Sequence, residues 1–425
     1  MSKEIHKLLN SGAARKCKNK TGYLSPIFLR QKADGTYRPI FDLRNLNLYL
    51  QPPKFRLMNH FKIPFCLNRS DFMTKLDLSN AYFHIPIAEA HRHNIYEMTC
   101  LPFGLASAPH TFAYVSNWVA NHFRKEGIRI IVYLDDFLMM HTNAQTLEQQ
   151  SQQVLHTLEE LGWCVNLKKS ILTPTKVIEY LGIGWNTEQN LKYLPQPKIH
   201  KIASLIKETL KKKWWTWHSA KTLLGHINFA TFIVPLGRLH IRKTQIQANR
   251  LPKNDRNKRF VLPKSVRREL LWWLHHVHIT SPIHQEEPTV FITTDASDQG
   301  WGATVNDTKL NGNWTAEQQS WHSNRKELWT VKKVLEEVAS IYCHRTISVQ
   351  TDNRSVTAYI TKQGGTKSQT LLQLTTDTLE LAYKYQIHLI ARYLPGRYNL
   401  TADSLSRFRQ TPEWTLSTFI RQIIF

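Results

Sequence analysis

The sequence is short of acid. Asp and Glu number 32 against 56 Lys and Arg, a formal charge of +24 over 425 residues. An excess of that size repels itself and calls for a reason. For a protein this basic the usual reason is nucleic acid. The charge is not confined to one amphipathic helix, which disfavours a membrane surface. Cysteine is scarce too. Cys17, Cys66, Cys100, Cys164 and Cys343 stand apart, and no C-x-x-C pair occurs. That argues against structural zinc and for a reducing compartment. No apolar run approaches the roughly 18 residues that span a bilayer. The opening MSKEIHKLLNSGAARKCKNK lacks the apolar core of a signal peptide and reads as a short amphipathic helix before a basic turn. The expected location is cytoplasmic or nuclear, not secreted, with no transmembrane segment. Internal repeats and low-complexity tracts are absent.

What is present is globular: 42% hydrophobic and 11% aromatic residues. Three textures follow one another. Residues 1–190 carry short β-like runs such as TKLDLSNAYFHIPI and RIIVYLDDFLMM, with one helix at 145–161 that puts Leu147, Val154, Leu158 and Leu161 on one face. Residues 191–285 are helical and basic. There Lys211, Lys212 and Lys213 precede Trp214, Trp215 and Trp217, a mixture suited to a phosphate backbone and its bases. A plain bundle with core tryptophans explains the tryptophans equally well. Pro252, Pro263, Pro282 and Pro288 suggest a linker over 250–288. Residues 286–410 begin a new α/β pattern, with PTVFITTD and ISVQTD as buried strands and NRKELWTVKKVLEEV as a helix. A tail, 411–425, remains.

Phosphoryl transfer from a nucleotide needs two divalent ions roughly 4 Å apart, held by carboxylates converging from separate strands. Asp77, at a strand end, and Asp135 with Asp136, inside an apolar run, offer one such set. Two adjacent aspartates are costly to bury there and suit a hairpin turn facing a cation, although a DD pair also marks turns without any. Asp295, Glu327, Asp352 and Asp403 offer a second set, on a strand, a helix start, a strand end and a helix start. Each has a bland reading. Glu327 could close a capping box begun by Asn324, Asp403 could favour a helix dipole, and Asp352 and Asp298 could be turn residues.

Tyr133-Leu134-Asp135-Asp136 resembles the Y-x-D-D signature of reverse transcriptases. LDLSNAYFHIPI (76–87), LPFGLASAPHTF (101–112), FLRQKADGTYRPIFDLRNLN (28–47) and EYLGIGW (179–185) resemble that family's other segments, in its order. The second set, in TDAS…E…TDN…NLTADSLSR, resembles the D-E-D-D site of ribonuclease H, most closely in Gypsy-type and DIRS-like retrotransposons. The resemblance implies an α+β right hand of fingers and palm (1–190) and a helical thumb with linker (191–285), then an α/β ribonuclease H-like domain (286–410). It implies an RNA- and DNA-directed DNA polymerase that also cuts RNA in RNA–DNA hybrids. Mg²⁺ would sit as two ions per site, with Mn²⁺ as a substitute. The partners would be RNA template, DNA primer, the hybrid in a basic cleft, dNTPs and other polyprotein parts. Asp77 and Asp135 match direct metal ligands and Asp136 a less direct third. Lys32 and Arg38 match residues that grip the triphosphate, and Tyr82 a ring that excludes the ribose 2′-hydroxyl. Phe103 stands where retroviral members usually have glutamine. Leu181 and Gly182 match the primer grip. Tyr393 replaces a histidine that many nucleases of the family carry. Protease, integrase and zinc-knuckle motifs are absent. Two other readings stay open: a domesticated, inactive nucleic-acid binder, and a pararetroviral polymerase fragment.

Overall fold

A computed structural model describes residues 2–16, 25–31, 35, 37–86 and 96–408, and the chain divides into two compact units at Lys192/Tyr193. In the first unit α1 (Ser2–Asn10) leads into β1 (Ala14–Lys16), β2 (Ile27–Gln31) and β3 (Tyr37–Phe41). β2 and β3 form an antiparallel hairpin that sets Arg38 opposite Arg30. Lys32, at its tip, lies outside the described residues, as does the tail from residue 409. After the short α2 (Arg44–Asn47) come β4 (Phe72–Asp77) and β5 (Tyr96–Met98), the latter paired with β1.

The rest of this unit is a sheet covered by two helices. α3 (Ala108–Lys125) is followed by β6 (Ile130–Tyr133), β7 (Asp136–His141), α4 (Ala144–Glu160) and β8 (Ile171–Thr175). The strand order is β6-β7-β4-β8, all antiparallel. Phe137, Leu138 and Met139 are wholly buried. α4 begins and ends one residue before the expected 145–161: Asn143 caps its start by accepting from Thr146 N at 2.9 Å, and Leu147, Val154 and Leu158 pack into the core beside Phe112 and Phe123. Leu161 falls outside the helix and half of it is exposed. β9 (Val177–Tyr180) and β10 (Ile183–Asn186) form a further hairpin, and β11 (Leu191–Tyr193) spans the unit boundary.

The second unit opens with the basic bundle: α5 (Gln196–Lys212), β12 (Trp214–Trp215), α6 (Trp217–Ala230), α7 (Arg242–Asn249), β13 (Phe260–Val261) and α8 (Lys264–His276). α8 corrects the expected linker. Pro263 does not interrupt structure but caps the helix, and Val266, Leu270 and Trp273 bury one stripe. After β14 (Ser281–Pro282) the sheet is built by β15 (Val290–Ala296), β16 (Gly300–Val305) and β17 (Thr308–Asn313). The short α9 (Ala316–Gln319) and α10 (Ser323–Val338) follow, then β18 (Thr346–Thr351), α11 (Arg354–Thr361), α12 (Gln369–Lys384), β19 (His388–Tyr393) and α13 (Leu400–Ser406). Strand order is β17-β16-β15-β18-β19; the first three are antiparallel, and β18 and β19 join in parallel. Sheet and helices enclose one core of Ile292, Leu328, Val331, Ile347, Val349 and their neighbours.

One buried charge ties the first unit together. Asp71, fully buried before β4, takes a forked bond from Arg129 at 2.7 and 2.8 Å and another from Asn68 N at 2.7 Å. Its carbonyl accepts from Thr187 Oγ1 at 2.6 Å, beside the end of β10. Asp71→Ala would leave the part-exposed Arg129 guanidinium only its bond to the Cys66 carbonyl at 2.7 Å, so we expect about 1–3 kcal/mol of lost stability. Urea denaturation should show an earlier midpoint; an unmoved midpoint would show that Arg129 does not depend on the pair.

Candidate functional sites

The first site follows from two backbone reversals. Antiparallel pairing sets Asp77, the last residue of β4, directly opposite Asp136, the first of β7. Between β6 and β7 the chain turns through Leu134, whose φ of +53° is a left-handed conformation that costs a leucine about 1–2 kcal/mol. The turn directs Asp135 to the same pocket as Asp77, and Leu78 N fixes it by donating to the Asp135 carbonyl at 3.0 Å. Asn80, with φ +53°, starts the tight turn Ala81–His84 that presents Tyr82. Tyr82 and Phe103, ring centres 5.0 Å apart, line the same pocket of about 380 Å³.

Charge inside the pocket is partly balanced. Burial raises the Asp77 carboxyl, Lys169 opposes that shift, Asp136 reinforces it and Lys75 opposes it. Asp136 is not among the pocket's lining residues; its carboxylate pairs with Lys75 Nζ at 3.1 Å. The structure therefore brings together Asp77, Asp135, Tyr82 and Phe103, with Asp136 held to the side. Lys75, Asn166 and Lys169 escaped sequence reasoning. They carry no motif and reach the acids only through the fold. Leu181 (φ +51°) and Gly182 (φ +69°) make the tight turn between β9 and β10, the mirror-image turn that such hairpins favour. Below it the buried Tyr180 hydroxyl donates to the Asp136 carbonyl at 3.1 Å, and burial pushes its pKa well up, so it stays a donor.

The second site is tighter. Carboxylate oxygens of Asp295, Glu327 and Asp352 lie within 4.8 Å of one another, and this is the one such acidic group among the described residues. Asp295 comes from β15, Glu327 from the first turns of α10, and Asp352 directly follows β18. Burial raises all three, and mutual repulsion adds to it: Asp352 and Asp403 act on Asp295, Asp295 and Asp352 on Glu327, and Asp403 on Asp352. Glu327 stands furthest from its ordinary range, and its Oε2 is buried without a partner. The capping-box reading of Glu327 fails, because α10 is capped by His322, which accepts from Asn324 N. Asp403 is close enough to act electrostatically, yet its carboxylate accepts from Arg407 Nε at 2.7 Å. Ser406, also missed from sequence, donates to Asp295 Oδ2 at 2.5 Å. A buried carboxylate oxygen without a donor, among acids that repel each other, suits a hard divalent cation.

The basic bundle divides its tryptophans. Trp215 is buried, while Trp214 and Trp217 are half-buried under cations: Arg259 at 4.3 Å and Lys212 at 5.4 Å from the Trp214 ring, Arg256 at 5.3 Å from Trp217. Among the described residues no helix is long and apolar enough to cross a membrane.

Residues 30–185 match the family described as reverse transcriptase (RNA-dependent DNA polymerase). Protein P of duck hepatitis B virus is 27% identical over 163 residues, which are 36% of this chain and 19% of that protein. The putative enzymatic polyprotein of cassava vein mosaic virus is 26% identical over 423 residues, 92% of this chain and 61% of the polyprotein. The transposon Tf2-3 polyprotein of Schizosaccharomyces pombe is 23% identical over 433 residues, 96% and 30% respectively. The chain thus spans between about a fifth and three fifths of these relatives. The foamy viral protease-reverse transcriptase in complex with dsDNA shares the fold at TM-score 0.57 and 18% identity, over 92% of this chain and 82% of that one. Its complex with RNA/DNA hybrid gives 0.55 and 18%, over 97% and 54%. The expected fold class, a mixed α/β unit followed by a second α/β unit, agrees with the fold of these neighbours.

The second site has a testable pH signature. A carboxyl raised by folding keeps a proton that the unfolded chain has released, so stability falls as pH climbs from the unfolded towards the folded pKa. Glu327→Gln should therefore raise the melting temperature of the metal-free protein at about pH 8, a gain that fades towards the ordinary glutamate value of 4.5. It should also weaken stabilisation by Mn²⁺ or Mg²⁺ in the same scans. An unchanged metal-free melting temperature at alkaline pH would show that burial and its acidic neighbours do not raise the Glu327 carboxyl.

Proposed function

We propose that the chain is an RNA-directed and DNA-directed DNA polymerase that also cleaves RNA in RNA–DNA hybrids, and that it serves a retroelement. The observation that carries this reading is the first pocket, where Asp77 and Asp135 line a space of about 380 Å³ together with Tyr82 and Phe103. Two acids and two rings around one pocket fit a nucleotide whose phosphates would lie towards metal and whose sugar would lie against an aromatic side chain. Residues 1–190 would form fingers and palm, 191–285 the thumb, and 286–410 the nuclease. Two Mg²⁺ ions per site, or Mn²⁺, would activate the attacking oxygen and neutralise the leaving group.

In the polymerase site Asp77 and Asp135 would be the ligands, and Asp136 would support them from its bond to Lys75. Tyr82 would exclude the ribose 2′-hydroxyl, with Phe103 buttressing its ring. Lys32 and Arg38, from the β2–β3 hairpin, would hold the triphosphate by charge-assisted bonds. Leu181 and Gly182 would guide the primer end. In the nuclease site Asp295, Glu327 and Asp352 would be the ligands, and Asp403 would join them on leaving Arg407. Template, primer and hybrid would be gripped mainly through phosphates by the cations around Trp214 and Trp217. An inactive binder is disfavoured by Glu327: a buried, repelled carboxylate costs stability unless it holds something.

Purified chain with Mg²⁺, RNA template, labelled DNA primer and dNTPs should extend the primer, while Asp135→Asn/Asp136→Asn should extend none. If neither protein extends the primer but both bind it, the inactive binder is the better reading. In the same assay Tyr82→Val should raise ribonucleotide incorporation by tenfold or more, on the order of what one steric contact discriminates. Equal ribonucleotide exclusion by Tyr82→Val would remove Tyr82 from that role.

A further inference from the structure

α11 is eight residues long, about 12 Å, and both of its ends are held. At the first end Asp352 immediately precedes the cap residue Asn353, whose Oδ1 accepts from Ser355 N and Val356 N at 2.9 and 3.1 Å. Asn353 Nδ2 also donates to Asn324 Oδ1 at 2.9 Å, three residues before Glu327. The start of α11 is thus part of the carboxylate site. At the other end the chain passes through two left-handed residues, Gln363 (φ +51°) and Gly364 (φ +85°). A left-handed glutamine persists only where its surroundings hold it.

Arg242, the first residue of α7, supplies that hold. Its guanidinium donates from Nη2 to the Lys362 carbonyl and from Nε to the Gln363 carbonyl at 3.1 Å. Gln363 Oε1 accepts from Arg238 N at 3.1 Å. A guanidinium on terminal carbonyls is matched to the negative end of the helix. Beside it Leu239, 3% exposed, packs into the same core as Ile347, Val356 and Ile360. The base of the clamp is fixed in turn. Glu269 of α8, buried, accepts from Lys243 N at 2.9 Å and from Thr244 N and Oγ1 at 2.7 and 2.6 Å. A continuous series of bonds runs from the basic bundle through Arg242 and along α11 to Asp352.

We propose that Arg242 is a positioning residue of the nuclease: by gripping the end of α11 it fixes Asp352 relative to the bundle that carries the Trp214 cations, and so fixes where along a hybrid the RNA is cut. This rests on the hybrid-cleaving reading given above. The basic bundle holds the duplex, the clamp sets the distance, and the carboxylates cut there.

The test uses the full chain and a hybrid of defined sequence with end-labelled RNA. Wild type should give a narrow set of cuts and Asp352→Asn none. Arg242→Ala should extend a primer within about twofold of wild type, yet cut RNA about tenfold more slowly and over a wider spread of positions, as expected when reacting groups lose alignment through a distant change. Arg242→Lys should recover less than half, since a point charge cannot span two carbonyls. Wild-type rate and wild-type cut positions in Arg242→Ala would overturn the proposal. If that variant melts below the assay temperature, Arg242→Lys decides, since it keeps the charge and loses the fork: a widened cut pattern supports the clamp and an unchanged one refutes it. Absence of cutting by wild type refutes the nuclease itself, and the clamp's role goes with it.

Discussion

Seven carboxylates set the terms for this structure, because like charges in half-dry sites oppose folding unless something answers each of them. The answers differ. Lys75 takes Asp136, Lys169 faces Asp77, Ser406 donates to Asp295 and Arg407 takes Asp403. Glu327 is offset in part by the Ala296 backbone and Thr351, but its Oε2 has no partner and burial drives its pKa well up. The two sites therefore stand in different states. The first is partly neutralised by lysines and opens onto a pocket sized for a small molecule. The second is a closed group of acids of a kind that suits a hard divalent cation. Burial is the larger cause of the raised pKa values in both, and mutual repulsion the smaller.

The same accounting extends to the surface. Few of the 56 basic side chains are needed to neutralise buried acids. Asp71 with Arg129 is one pair built into the interior, and Glu269 uses backbone and hydroxyl donors instead of a cation. Much of the remaining charge is therefore available to a polyanion. Around Trp214 and Trp217 the cations lie across ring faces, which holds long side chains in place without consuming their charge.

Legibility in the sequence followed how local each signal is. The helix at 144–160 could be read because its cap, apolar stripe and closing Gly162 all lie within one segment. The β6–β7 hairpin was readable for a similar reason, since two aspartates inside an apolar run leave few places for the chain to go. α8 was hidden because prolines at 252, 263 and 282 looked like interruptions, whereas Pro263 sits where a helix start tolerates it. The Val266, Leu270, Trp273 spacing was there to be read. The partners of the acids were a different matter. Lys75 and Arg407 sit two and four residues from acids in sequence, but nothing local tells a bridge from a solvated side chain. Lys169 approaches Asp77 through a contact that exists only after β8 has joined β4.

The least legible feature is the one that links elements to one another. Arg242 is one of many basic residues in its stretch, and Gln363 is an unremarked residue in a polar turn. Neither carries a motif. Their relation depends on a helix end presenting two carbonyls just where a buried carboxylate, Glu269, has fixed the start of α7. The acids of a two-metal site must occupy fixed places because the chemistry tolerates little displacement. The residues that hold those places have no such shared constraint, since any donor at the right distance serves. That asymmetry explains why the seven acids can be picked out from a resemblance while the clamp that aligns one of them needs coordinates to be seen.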